Sequence, residues 1–105
     1  MLSLNKLYEK LKTLGYDVAY HHFDEEPTLP FIAYYEDGRE YLYADDSNYH
    51  ENKQMTIEVY TNTHDEEIIS KVKSLLDENG ISFSLRAFIY IEDEKMYLSD
   101  FGFTL

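Results

Sequence analysis

Four histidines, 21 carboxylates and a scatter of serines are the first side chains to test for chemistry in this 105-residue sequence. His21 and His22 are adjacent, so in a strand over residues 17–23 they point to opposite faces and cannot grip one ion. His50 and His64 stand apart in a polar loop and at a helix start. A metal site joining His21 or His22 with Asp24 or Glu25 would lack any H-x-x-H, HExxH or cysteine pattern, and solvated or packing histidines are expected instead. Asp45 and Asp46 with Asn48 and Glu51 have the composition of an oxygen-ligand calcium loop. They lack its register and the glycine at its sharp turn. No serine has a G-x-S-x-G context, and Gly38, Gly80 and Gly102 form no phosphate cradle. With no cysteine, thiol catalysis is excluded. The expectation is a protein that is not an enzyme and takes no cofactor and no metal.

The elements that would position these groups follow from periodicity. Leu4, Leu7, Leu11 and Leu14 recur at helical spacing, with Ser3 as N-cap and Gly15 as the stop. Strand-like runs then cover 17–23, 31–36, 39–44 and 55–61. Asp37-Gly38 reads as a hairpin turn between the second and third, and residues 45–54 read as a polar loop. Asn62 or Thr63 is expected to cap a second helix whose first turn holds Asp65, Glu66 and Glu67, the favoured sign there. Ile68, Ile69, Val72, Leu75 and Leu76 form its buried stripe, and Gly80 ends it. Runs at 82–91 and 96–105, joined by the charged turn 92–95, close the chain. In the first of these, alternation puts Phe83, Leu85, Ala87, Ile89 and Ile91 on one face and Arg86, Phe88 and Tyr90 on the other. The expected fold is α+β, a single domain over 1–105 in the order α-β-β-β-β-α-β-β. Its sheet is mostly antiparallel or mixed, with both helices on one face.

That arrangement leaves a face over. Phe31 alternates with Ile32, Tyr34 with Tyr35 and Phe88 with Ile89, so apolar groups stand on both sides of the sheet. Tyrosine supplies 11 of the 105 residues, and Tyr41, Tyr43, Tyr49, Tyr60, Tyr90 and Tyr97 add amphipathic surface of the kind enriched at interfaces. Charge points the same way. The net of −12 is uneven: residues 1–16 hold Lys6, Lys10 and Lys12 against Glu9, a net of +2, and the remainder carries −14. Such a body repels phosphate, so no specific nucleic-acid binding is expected. The N-terminal residues contain no apolar leader core, and no run approaches the length of a membrane span. Absence of cysteine favours a reducing cytoplasm as the place of folding.

One strand–loop–strand block resembles a known family. Leu29-Pro30-Phe31-Ile32-Ala33-Tyr34-Tyr35, Tyr43-Ala44-Asp45-Asp46 with Tyr49, and Ile57-Glu58-Val59-Tyr60-Thr61 are similar to the small tail-component proteins of siphophages and prophages of Gram-positive bacteria. Ile89-Tyr90-Ile91-Glu92 with Glu94, Met96 and Tyr97 extends the likeness over nearly the whole chain. The resemblance is to tail terminators, also called tail-completion or head–tail joining proteins. It implies an α/β domain that forms a hexameric ring at the head-proximal end of the tail tube. The implied partners are further copies of itself, the tail tube protein and the head connector. The implied location is the virion, after synthesis in the host cytoplasm. The loop 45–54 is then the counterpart of a loop that orders on assembly. Assembly-interface candidates are Tyr43, Asp45, Asp46, Tyr49, His50, Lys6 and Lys10. The alternative is an acidic DNA mimic that inhibits a host nuclease. Mimicry needs carboxylates spaced like phosphates along one face, and here they cluster in turns at 24–26, 45–46, 65–67 and 92–94.

Overall fold

Two capped amphipathic helices and five strands make up the computed structural model, which describes residues 2–25, 27–43 and 49–105, with backbone only for 39–43 and 49–52. Helix α1 (Leu4–Lys12) begins where the Ser3 hydroxyl accepts the amide of Lys6. It ends in a turn that passes through Gly15 at φ +92°, a conformation that side-chain-bearing residues resist. Helix α2 (Glu66–Glu78) is capped by Asp65, not by Asn62 or Thr63, because the Asp65 carboxylate accepts the amides of Glu67 and Ile68 at 3.0 and 3.3 Å. Its far end closes when the Ile81 amide returns to the Leu76 carbonyl past Gly80 at φ +70°.

The strands are β1 (Asp17–Tyr20), β2 (Phe31–Tyr43), β3 (Tyr49–Thr61), β4 (Phe83–Ile91) and β5 (Met96–Thr104). They form one mixed sheet in the order β1-β2-β3-β5-β4, with β1 and β2 parallel and every other pair antiparallel. The α+β class therefore holds, with five strands in place of six. The hairpin expected at Asp37-Gly38 does not form. Residues 31–43 are one strand, and Asp37 is taken up as a register irregularity between Glu36 and Gly38 opposite β3. Pairing continues to Tyr43↔Tyr49, so residues 49–54 of the expected polar loop belong to β3. Residues 39–43 and 49–52 pair only with each other among the described residues, a two-stranded ribbon running past the ends of β1 and β5.

Both helices lie on one sheet face. Leu7 and Leu11 of α1 and Ile68, Val72 and Leu76 of α2 lose all solvent contact, packing with Ile32, Ile57, Val59 and Phe101. Lys71 of α2 ties that helix to the turn after α1: its ammonium lies 5.2 Å from the Tyr16 ring centre, 3.2 Å from that hydroxyl and 3.4 Å from Glu67. Those hydrogen bonds, to Tyr16 first and then Glu67, raise its pKa. No helix among the described residues is long and apolar enough to cross a membrane.

One strand breaks the simple alternation. A bulge between Leu85 and Ala87 shifts the register of β4 against β5. Beyond it Phe88 pairs with Ser99 and Tyr90 with Tyr97, on the helix side, while Ala87, Ile89 and Ile91 turn to the open side. The grouping of Phe83, Leu85, Ala87, Ile89 and Ile91 on one face is therefore overturned. An extra residue in a strand reverses every side chain that follows it.

Candidate functional site

The face that the helices leave bare is built in rows. Register puts Phe31, Tyr60, Leu98 and Ile89 side by side across four strands, then Ala33, Glu58, Asp100 and Ala87, then Tyr35, Thr56 and Gly102. The first row is an apolar ridge. Phe31 stacks on Tyr60 with ring centres 4.8 Å apart, and Phe23 packs edge-on against Phe31 at 5.3 Å.

The second row places two carboxylates directly opposite one another, which is unfavourable without a counter-charge. Arg86 provides it. The bulge aims this side chain at the open face, where it donates to Asp100 at 2.6 Å and to the Thr56 hydroxyl at 2.7 Å. Thr56 in turn donates to Asp37 at 2.7 Å, and Asp37 lies 3.8 Å from the guanidinium. Asp100 bonding holds the Arg86 guanidinium more strongly protonated than usual. Glu58 accepts from Tyr60 at 3.2 Å. Burial, and then the Glu58 charge, push the Tyr60 and Tyr35 hydroxyls up in pKa, and burial does the same to Tyr34 on the opposite face.

Gly102 completes the arrangement. A Cβ there would stand 2.8 Å from Arg86 Nε and 2.9 Å from its Cζ, so the guanidinium lies flat on bare backbone. A groove of about 770 Å3 runs from this point past Phe83 and Ile81 to Leu2 and Leu105. The whole arrangement is a flat, mixed aromatic and acidic surface with its one described arginine bound internally.

The interface candidates read from sequence do not gather here. Tyr43 and Tyr49 are register partners at the end of the ribbon, His50 pairs there with Leu42, and Asp45 and Asp46 lie outside the described residues. Lys6 is exposed on α1, while Lys10 is partly buried in a shallow groove beside Glu67 and Lys71. His21 and His22 do not point to opposite faces. The strand stops at Tyr20, His21 takes φ +69°, and the two Nδ1 atoms come within 3.2 Å. His22 also lies 3.5 Å from Asp24, and His64 lies 2.6 Å from Glu66 with its ring against Phe88. Among the described residues no three potential ligands converge on a metal position. Arg86 was the residue that sequence reasoning missed, although an arginine inside the apolar run 83–91 was the available signal. No protein-family model matches the chain, and no curated protein matches it in sequence.

Two outcomes follow. Gly102→Ala displaces Arg86 from Asp100 and Thr56 and destabilises the fold by about 1.5–3 kcal/mol in urea unfolding, the usual loss for a broken charged hydrogen bond. In an Arg86→Ala background the same substitution is near neutral, and an equal cost in both backgrounds would contradict this geometry. The second concerns pH. Unfolded tyrosines ionise near about pH 10, whereas Tyr34, Tyr35 and Tyr60 hold their protons beyond that in the fold. Their contribution to stability is thus complete below that pH and declines as pH rises above it. Ultraviolet titration should find the folded chain ionising fewer of its 11 tyrosines than the denatured chain at the same alkaline pH. Tyr60→Phe should reduce the alkaline loss of stability, and identical titration curves in both states would count against the burial described.

Proposed function

We propose that this chain is a structural component of a phage virion, a tail terminator or tail-completion protein that forms a ring at the head-proximal end of the tail tube. The observation that carries the reading is the uncovered sheet face, with its ridge of Phe23, Phe31, Tyr60, Leu98 and Ile89. A lone domain gains little from displaying such a row, whereas an assembly part buries it. The sequence resemblance supplies the kind of assembly. It rests on the block at 29–35, the segment 43–49 and the strand residues 57–61, and the described strands 31–43 and 49–61 pair antiparallel along their length.

Electrostatics supports a structural part more than a nucleic-acid binder. The net charge is −12, and Arg86 is already committed to Asp100 and Thr56. Walls of this sign attract neither DNA nor RNA, which suits a conduit through which DNA passes. In this reading the partners are other copies of the chain, the tube protein and the head connector, and the protein takes its place in the tail after synthesis in the bacterial cytoplasm. The role is structural, with no catalytic step.

Electron microscopy of particles from a phage lacking this gene tests the proposal. Tails of uncontrolled length, or tubes without heads, are expected, and supplying the protein restores capped tails of uniform length. Normal joined tails in its absence would overturn the reading.

A further inference from the structure

Among the described residues, the exposed large apolar groups gather at the two sheet margins. Six large ones among the described residues are 40–51% exposed: Leu85, Phe88, Ile89 and Tyr90 on β4, with Tyr20 on β1 and Tyr8 on α1. The sheet order makes β4 one edge and β1 the other. Tyr8 belongs to the β1 edge through Tyr34, whose ring centre lies 6.3 Å from that of Tyr8 and 5.1 Å from that of Tyr20. Neither edge has a further strand partner among the described residues. Soluble proteins guard free edges with charge, proline or irregularity. From Ala87 to Ile91, β4 has none of these, since its bulge and its only charge lie before that run.

We propose that β4 of one copy pairs with β1 of the next, so that the sheet continues from subunit to subunit around the ring. The inference deepens the ring reading and rests on it for closure. Strand direction is consistent with it. Following the sheet from β1, the directions run up, up, down, up and down, so a neighbour in the same orientation presents β1 antiparallel to β4. The bulge at 85–87 confines regular pairing to Ala87–Ile91, long enough to take the four residues of β1. In the register that uses all four and keeps faces together, Phe88 meets Tyr20, Tyr90 meets Val18, Ile89 meets Ala19 and Ile91 meets Asp17.

Charge selects this contact over a twofold pairing of β4 with itself. Antiparallel β4–β1 contact brings the acidic turn after β4, Glu92-Asp93-Glu94, toward the start of β1. The end of α1 lies there, carrying Lys10 and Lys12 in its last turn, with Lys71 beside Tyr16. Lys10 and Lys71 share a groove there with Glu67 and Glu78, and Asp17 opens β1, so the turn meets three lysines together with three carboxylates. A β4–β4 pair would instead carry the same acidic turn toward Asp77 and Glu78, which precede the partner strand by a few residues, and would leave Tyr8 and Tyr20 uncovered. Edge-to-edge contact of unlike surfaces repeats head to tail and closes into a ring when the rotation permits.

The chain has no cysteine, so engineered disulfides report the contact without background. In the Ala19→Cys/Ile89→Cys double variant, oxidation should give a reducible ladder of dimer, trimer and larger species on a denaturing gel. Each single variant should give none, and unchanged circular dichroism confirms that these exposed or half-exposed positions leave the fold intact. A strong dimer from Ile89→Cys alone would overturn the proposal in favour of the twofold pairing. If the double variant caps tail tubes but never cross-links, the edge contact is wrong and the tail reading stands. A ladder from a protein that never caps tubes would support the contact while removing the tail role.

Discussion

Two helices facing five strands set the constraint from which the rest of this structure follows. The helices bury the centre of one face, through Leu7, Leu11, Ile68, Val72 and Leu76 on Ile32, Ile57, Val59 and Phe101. No further element among the described residues is available for the opposite face. That face must then be stable in water by its own means, and it combines an aromatic ridge with a hydrogen-bonded charge network. The network turns on Arg86. Without its guanidinium, Asp100 would stand opposite Glu58 and near Asp37 without its counter-ion. Repulsion of this kind in a half-buried setting is costly.

The bulge in β4 links that network to the edges. By inserting one residue it delivers Arg86 to the open face and lets it lie over Gly102. The same insertion turns Phe88 and Tyr90 to the helix side at the sheet margin, where His64 and Tyr97 pack against Phe88 and Tyr97 also packs against Tyr90. One local irregularity therefore neutralises the centre of the sheet and loads its edge with apolar groups. In the proposed ring those groups are covered by the neighbour's Tyr8 and Tyr20. The acidic balance then acts at the subunit boundary through the turn at 92–94, in addition to repelling phosphate.

Much of the fold was legible in the residues. The leucine stripe of α1, the Ile68–Leu76 stripe of α2, the glycine stops and the alternation of β3 all follow from period and capping chemistry. What alternation could not reveal was where pairing is interrupted. Asp37-Gly38 has the composition of a hairpin turn, yet Asp37 is drawn into the sheet by Thr56 and Arg86, partners distant in sequence. The polar character of 49–54 suggested a loop because a run without apolar alternation carries no strand pattern, and its pairing with β2 is visible only in the fold. In β4 the bulge reverses the face of every later residue, and no residue type near Arg86 announces it. The spare apolar face was visible in the sequence, but its organisation around one arginine depends on register and therefore on the folded sheet.

Sedimentation velocity of the purified chain, alone and mixed with tubes of the cognate tail tube protein, tests the assembly role most directly. The account predicts a ring-sized species, free or formed on the tubes, with protein visible at tube ends in the same samples by electron microscopy. A chain that remains monomeric at every concentration and never decorates a tube end would contradict it.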